Sequence, residues 1–175
     1  MNPNSNEKKY NKISYRIETI QDMVKDKNVE SIIDYETNSD EIDSINNSED
    51  IRHLLPKKYL DFNTTIKQLG GKLLYIKSGS TGHTFKGVHP DDADRANYAV
   101  KVVAYPKKEN YGDLFNVKRP ENAELLMIKL LSYFVRNNQT PHIVLPMTTF
   151  NTSIKPFLSL PKNNIVNNKK FDQFI

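Results

Sequence analysis

Apolar and polar residues alternate in short runs between positions 72 and 105, and this pattern predicts three β-strands. The predicted strands, which are rich in β-branched and aromatic residues, are 72–78, 83–89 and 97–105. Gly79 and Gly82 fall in the first connection, and a polar stretch that begins at Pro90 forms the second. Connections as short as these favour an antiparallel meander.

A long helical pattern follows the strands at 119–138. Apolar side chains recur there three, four and seven positions apart, so one broad face of the helix is apolar. Pro120 suits the first turn, where its missing N–H needs no partner. Glu121 and Glu124 lie near the positive end of the helix dipole, where carboxylates are favourable.

Two shorter apolar segments, 141–147 and 153–160, are predicted as further strands. Pro146 places the first of them at a sheet edge or a bulge, because proline cannot donate to a neighbouring strand. The expected fold is therefore α+β, with a twisted antiparallel sheet of about five strands and one main helix.

The first fifty residues are polar throughout. Their acidic part, 30–50, contains no Lys or Arg, and the part before it is basic. Because such a sequence buries little apolar surface, 1–50 is predicted to be a flexible, partly disordered extension. The folded part is predicted at 51–160, with a helical turn interrupted at Pro56 near its start, and 161–175 forms a polar tail.

Composition excludes several kinds of protein. The chain of 175 residues has no cysteine, which excludes a disulfide framework and a thiolate nucleophile. It has no run of about 18 apolar residues and no apolar leader, so we expect a cytoplasmic protein (in the host cytoplasm or virion if viral) without a membrane partner.

The net charge of +4 is spread thinly, so nucleic acid is not an expected partner. The many Asn and Lys residues suit an AT-rich genome, such as that of a large DNA virus or a protist.

Three features carry candidate chemistry, and each has two explanations when it is considered alone. Lys101 is the one charge in an apolar strand, and its amine either meets an anion or reaches water. Gly79 and Gly82 suit an ordinary turn or a loop that lies over phosphate. Glu124 is either a solvated helix residue or the partner of a cation.

The order of these parts resembles the small lobe of a serine/threonine protein kinase over about half of the chain, from position 73 to 158. SGSTGHTFKG is similar to the glycine-rich loop, YAVK to the Val-Ala-Ile-Lys strand, and AELLMIKLLSYF to the C helix of that family. PHIVLPM is similar to the run that opens the fourth strand. The resemblance implies that 51–160 is a kinase-like small lobe whose main helix is the C helix.

The resemblance also implies ATP as the ligand. In the family, the loop glycines let the backbone lie close to the phosphates, the strand lysine contacts the α- and β-phosphates, and a C-helix glutamate holds that lysine. Glu124 matches that glutamate better than its competitor Glu121, and Ala99 would cover the adenine. The implied ATP-binding residues are Ile76, Gly79, Ser80, Thr81, Gly82, Thr84, Ala99, Lys101 and Glu124.

The chain departs from the family pattern in ways that affect the expected activity. Lys77 stands where the first loop glycine is expected, and Thr84 stands where a valine is expected. The sequence contains neither His-Arg-Asp nor Asp-Phe-Gly, which supply the base and the magnesium ligands of the family. We therefore predict no catalytic or metal residue in this chain, and magnesium only together with a large lobe.

These departures leave two functions open. The first is the ATP-binding lobe of a truncated or split kinase, which transfers phosphate only when a large lobe is supplied. The second is a non-catalytic interaction or scaffold module that binds a large-lobe chain or a complete kinase. In both cases a lone small lobe is expected to expose an apolar patch.

Overall fold

The computed structural model describes residues 10–33, 35, 55, 57–69, 71–92, 94–106 and 108–161. The chain divides into two compact units: the helical unit comprises 1–58 and 107–150, and the sheet unit comprises 59–106 and 151–175. The strands are β1 (Lys72–Gly79), β2 (Gly82–Val88) and β3 (Tyr98–Val102), and the helices are α1 (Ile13–Val24), α2 (Phe62–Leu69), α3 (Lys108–Tyr111), α4 (Pro120–Arg136) and α5 (Lys155–Leu158). Within the described ranges, no helix is both long and apolar enough to cross a membrane.

The predicted meander is confirmed in the sheet unit. The three strands form one antiparallel sheet in the order β1-β2-β3. Gly79 pairs with Gly82, so Ser80 and Thr81 alone make the turn between β1 and β2. Two-residue turns are the commonest hairpin connections because their backbone twist matches that of the strands.

One face of this sheet carries aromatic side chains, which α2 and α5 cover. Phe85 is fully buried, and its ring centroid lies 5.5 Å from that of Tyr75 and 5.3 Å from that of Phe157. Phe157 lies 4.3 Å from Phe62 of α2 by the same measure. Full burial of one such ring stabilises a fold by roughly 1.5–3 kcal/mol, so these four rings join both helices firmly to the sheet.

The prediction of about five strands is wrong, because the described residues form a sheet of three. Segment 153–160, predicted as a strand, contains helix α5 instead. Pro156 lies in the first turn of α5, where proline is favoured. The helical turn places Phe157, which is 1% exposed, among the other aromatic rings.

Segment 141–147, the other predicted strand, has no strand structure either. Arg16 of α1 donates hydrogen bonds to the carbonyls of Pro141 (2.6 Å) and Ile143 (2.7 Å). Leu145 is buried in an apolar cluster with side chains of α1 and α4. A side-chain donor and helical neighbours therefore take the place of a partner strand at this segment.

Helices α1 and α2 have no counterpart among the predicted elements. Helix α1 contributes Ile13, Ile17 and Ile20 to the apolar cluster of the helical unit. The buried apolar residues of α2 are Phe62, Ile66 and Leu69. Each set is spaced by four and then three residues, which is the spacing of one helix face. The polar composition around both sets concealed this periodicity, and α1 lies within the extension predicted as flexible.

Helix α2 begins at Phe62, after the segment for which an early helical turn is predicted. Residues 51–54 and 56 of that segment lie outside the described residues. Asp61 accepts a hydrogen bond from the Thr64 backbone N–H (2.8 Å), and this bond lowers the pKa of Asp61. The carboxylate thus satisfies one of the free N–H groups at the start of the helix.

The long helix predicted at 119–138 is confirmed as α4. It begins at Pro120, and Arg119 is the N-cap residue that precedes its first turn. Its apolar residues are less covered than the pattern predicts: Met127 is 54% exposed and Phe134 is 39% exposed. The buried side of α4 includes Val135, and also polar residues near its N-terminal end.

The two loop glycines are expected to differ in their effect on stability. Gly82 has φ 156°, and a Cβ atom there would lie 2.5 Å from the Val102 carbonyl oxygen. Gly82→Ala should therefore lower the free energy of unfolding by roughly 1–3 kcal/mol. A Cβ at Gly79 would meet nothing closer than 3.8 Å, so Gly79→Ala should change stability by no more than about 0.5 kcal/mol. Urea unfolding of both variants checks this, and equal losses would contradict the steric argument.

Candidate functional site

The sheet has one exposed face, opposite the aromatic core, and three predicted site residues share it. Along β3, Tyr98 is buried while Ala99 and Lys101 are exposed, as strand alternation requires. Lys101 pairs with Thr84 across the strands, and Ala99 pairs with Lys86. Residues directly opposite each other project to the same side of a sheet. The register therefore brings Thr84, Ala99 and Lys101 together.

A bulge in β1 adds Ile76 and Lys77 to the exposed part of the sheet. Tyr75 pairs with Phe85, but Lys77 pairs with the next residue of β2, Thr84, so one residue is extra on β1. Ile76 is that residue, and its side chain is 37% exposed. A bulge of this kind redirects side chains, and here it leaves an apolar group open beside the hairpin.

The two glycines beside the hairpin tip differ in their structural role: the fold leaves no room for a side chain at Gly82 but does leave room for one at Gly79. Gly82 cannot carry a side chain without contact with the β3 backbone, so the plain turn fully explains it. Gly79 has open space where a side chain would lie. Ser80 and Thr81 between them are exposed. The backbone at Gly79 is thus accessible for the close approach of a ligand.

A hydrogen-bonded chain of three side chains holds the base of the hairpin. Tyr75 and Ser78 share a hydrogen bond between their hydroxyl groups (2.6 Å), and Ser78 Oγ shares another with His83 Nδ1 (2.7 Å). Burial lowers the pKa of His83, because the charged imidazolium loses hydration in this position. The neutral ring therefore links the two strands next to the turn.

Glu124 lies on α4 in the helical unit, as predicted, and is half-buried. Its competitor Glu121 is occupied by another partner: Oε1 accepts a hydrogen bond from Arg119 Nε at 2.7 Å. Both members of that ion pair are buried, with Arg119 2% and Glu121 8% exposed. This occupation supports the preference for Glu124, whose pairing with Lys101 stays a prediction.

Asn122 forms a buried polar cluster beside this ion pair. Its Nδ2 donates hydrogen bonds to the carbonyls of Leu114 and Asn116 (both 2.9 Å), and its Oδ1 accepts one from Lys57 Nζ (2.7 Å). Burial lowers the pKa of Lys57, while the charge of Glu121 acts in the opposite direction. Sequence reasoning missed this cluster, because 65 positions separate Lys57 from Asn122 and no spacing pattern links them.

No metal site accompanies these residues in the part of the chain that the structure describes. There, no group of three or more His, Cys, Asp or Glu side chains is placed to hold an ion. The groups that the exposed sheet face offers to a ligand are lysine amines, hydroxyl groups, backbone N–H groups and small apolar side chains. Such a set suits an anionic ligand with an apolar part.

The two glutamates of α4 are expected to differ in stability experiments. Glu121→Gln removes one charge of a buried ion pair and leaves Arg119 without its counter-charge, so the free energy of unfolding should fall by about 3 kcal/mol. Glu124→Gln, at a half-buried position, should lower it by about 1 kcal/mol or less. Chemical unfolding measures both values. Similar losses for the two variants would show that Glu121 has no special structural role.

The His83 pKa predicts a pH dependence of stability. Because the folded-state pKa lies below the unfolded value of about 6.5, the contribution of the neutral ring is complete above that pH and is lost as the pH falls. The stability difference between the wild type and His83→Gln should therefore be larger at about pH 7.5 than at about pH 5. Thermal unfolding across this range tests the effect, which a constant difference would disprove.

Comparison with known proteins supports the resemblance seen in the motifs. No protein-family model matches the chain. No solved structure matches it. The chain is 41% identical over 150 residues to "Putative serine/threonine-protein kinase R400" of Acanthamoeba polyphaga mimivirus, a large DNA virus. The match covers 86% of this chain but 30% of that protein, so the chain spans about a third of its relative's length. The predicted resemblance is confirmed: the chain is similar, over most of its length, to a viral protein named as a putative serine/threonine protein kinase.

Proposed function

We propose that this chain is the ATP-binding small lobe of a serine/threonine protein kinase-like protein. The observation that carries the proposal is the register of β2 with β3, which sets Thr84, Ala99 and Lys101 on one open face. The hairpin with Gly79 lies at the end of the same strands. The kinase name of the viral relative supports the same ligand.

The adenine is proposed to lie against the apolar part of this face. Ala99 is small and exposed, so a flat ring can approach the backbone of β3 closely. Ile76 supplies apolar surface from the bulge, and Thr84 adds a methyl group and a hydroxyl beside it. Binding would remove this apolar surface from water, which is worth about 25 cal/mol per Å².

The phosphates are proposed to lie nearer the hairpin. Lys101 is exposed on the same face and would contact them with its amine. Gly79 leaves space for the oxygens to approach the backbone of the turn, and Ser80 and Thr81 add hydroxyl donors at its tip. Hydrogen bonds to ionised groups are about twice as strong as neutral ones, so these contacts would supply much of the affinity.

Phosphoryl transfer by the whole protein is a separate proposal. The 175 residues of the chain include neither the base nor the magnesium ligands of the kinase family, and the viral relative is about three times as long as the match. A large lobe from further sequence or from another chain would bring those groups. The proposed location is the cytoplasm, and the proposed partners are ATP and that large lobe.

A second candidate function is a non-catalytic module that binds a kinase chain. Met127 and Phe134 lie seven positions apart on α4, hence on one side of the helix, and both are exposed. Val144, in the segment after α4, is 70% exposed. Large exposed apolar groups often mark interaction surfaces, and a lobe that serves only as a scaffold would keep this surface without binding ATP.

ATP binding decides between the two candidates. Millimolar Mg-ATP should raise the melting temperature of the wild-type protein, since a ligand that binds only the folded state stabilises it; at 100 times Kd the gain is about 2.7 kcal/mol. Lys101→Ala should lose most of this shift. Differential scanning fluorimetry measures both, with an autophosphorylation assay beside it in which we expect no transfer by this chain alone.

Gly79→Ala is the matched variant for the loop. It is expected to leave the melting temperature of the free protein unchanged while it reduces the shift with ATP, because the added methyl group occupies space open to the ligand. Absence of any shift in the wild type, or an equal shift in Lys101→Ala, would refute the nucleotide proposal and favour the scaffold.

A further inference from the structure

We propose that Lys77, which stands where the kinase family has its first loop glycine, is a second phosphate-binding lysine of this site. The proposal rests on the proposed binding of ATP to the exposed sheet face. The ATP site would then contain two cationic side chains, Lys77 from β1 and Lys101 from β3, with β2 between them. The ligand group that it would recognise is the polyphosphate end of a nucleotide.

The sheet register places the two lysines in one row. Lys77 pairs with Thr84, and Thr84 pairs in turn with Lys101. Neighbouring strands lie about 4.8 Å apart, so the two lysine backbones are separated by roughly 10 Å. The shorter side chain of Thr84 lies between them, which leaves room above it for an anion that both amines can reach.

The charges of this face point the same way. By the register its side chains include Lys72, Leu74, Lys77, Thr84, Lys86, Val88, Ala99 and Lys101, which are four lysines and no carboxylate. Among the described residues, no ion pair joins a carboxylate to Lys77 or Lys86. An anionic ligand on this face would therefore be attracted by Lys77 and Lys86, whose charges no described carboxylate neutralises.

The bulge in β1 is what makes this arrangement possible. Tyr75 projects into the aromatic core, and a regular strand would turn the residue two positions later, Lys77, to that same core face. The extra residue shifts the alternation by one, so Lys77 pairs with Thr84 and is exposed. An ordinary strand would have buried the lysine or excluded it from this position.

Lys86 provides a control with the same charge on the same face. It lies beside Ala99, two residues along β2 from Thr84, and so outside the row of Lys77 and Lys101. A general electrostatic attraction would involve Lys86 as much as Lys77. A specific phosphate contact would involve Lys77 alone.

The experiment measures the affinities of the full chain for ATP and for adenosine by NMR titration. Lys77→Gln should weaken ATP binding about tenfold, the loss expected for one hydrogen bond to a charged group, and leave adenosine binding unchanged. Lys77→Arg should retain most of the ATP affinity. Lys86→Gln should change either affinity by less than about twofold.

Each remaining outcome has a definite meaning. Equal ATP losses in Lys77→Gln and Lys86→Gln, or an unchanged ATP affinity in Lys77→Gln, would overturn the role of Lys77 while ATP binding itself stands. Failure of the wild type to bind ATP, or full binding by Lys101→Gln, would overturn the proposed function and this inference together. Lys77 is exposed, so its variants should fold, and their thermal unfolding confirms that.

Discussion

The packing of Phe85 against Tyr75 and Phe157 is the constraint on which the candidate site depends. Side chains alternate along a strand, so burying Phe85 on one face obliges its neighbours Thr84 and Lys86 to lie on the other. A register slip by one residue would turn the lysine inward and the ring outward, at a large cost in free energy. The aromatic cluster thus selects which residues a ligand can meet.

Two pairs of like residues, close together in the sequence, differ in how much the fold depends on them. A side chain at Gly82 would clash with the backbone of β3, whereas a side chain at Gly79 would meet no close neighbour. A similar contrast separates Glu121, engaged with Arg119 in a buried ion pair, from the half-buried Glu124. In each pair the sequence shows two like residues, and only their surroundings in the fold show that Gly82 and Glu121 have a structural role.

The elements that were predicted correctly have strong local signals. Strands β1 to β3 are rich in β-branched and aromatic residues between turn residues, and α4 begins at a proline that suits its first turn. The segment of α5 has apolar residues that fit either a strand or a helical turn. Its helical form depends on Phe157 meeting Phe62 and Phe85, residues distant in sequence.

The sequence by itself determined the meander, the long helix and the order of motifs that resembles the small lobe of the serine/threonine protein kinases. These features rest on local periodicity, turn chemistry and motif spacing. Tertiary structure decided the bulge that exposes Lys77, the burial of the Arg119–Glu121 ion pair and the helix of 155–158. Each of these depends on contacts that a single sequence does not encode in any fixed spacing, because the residues involved meet only when the chain has folded.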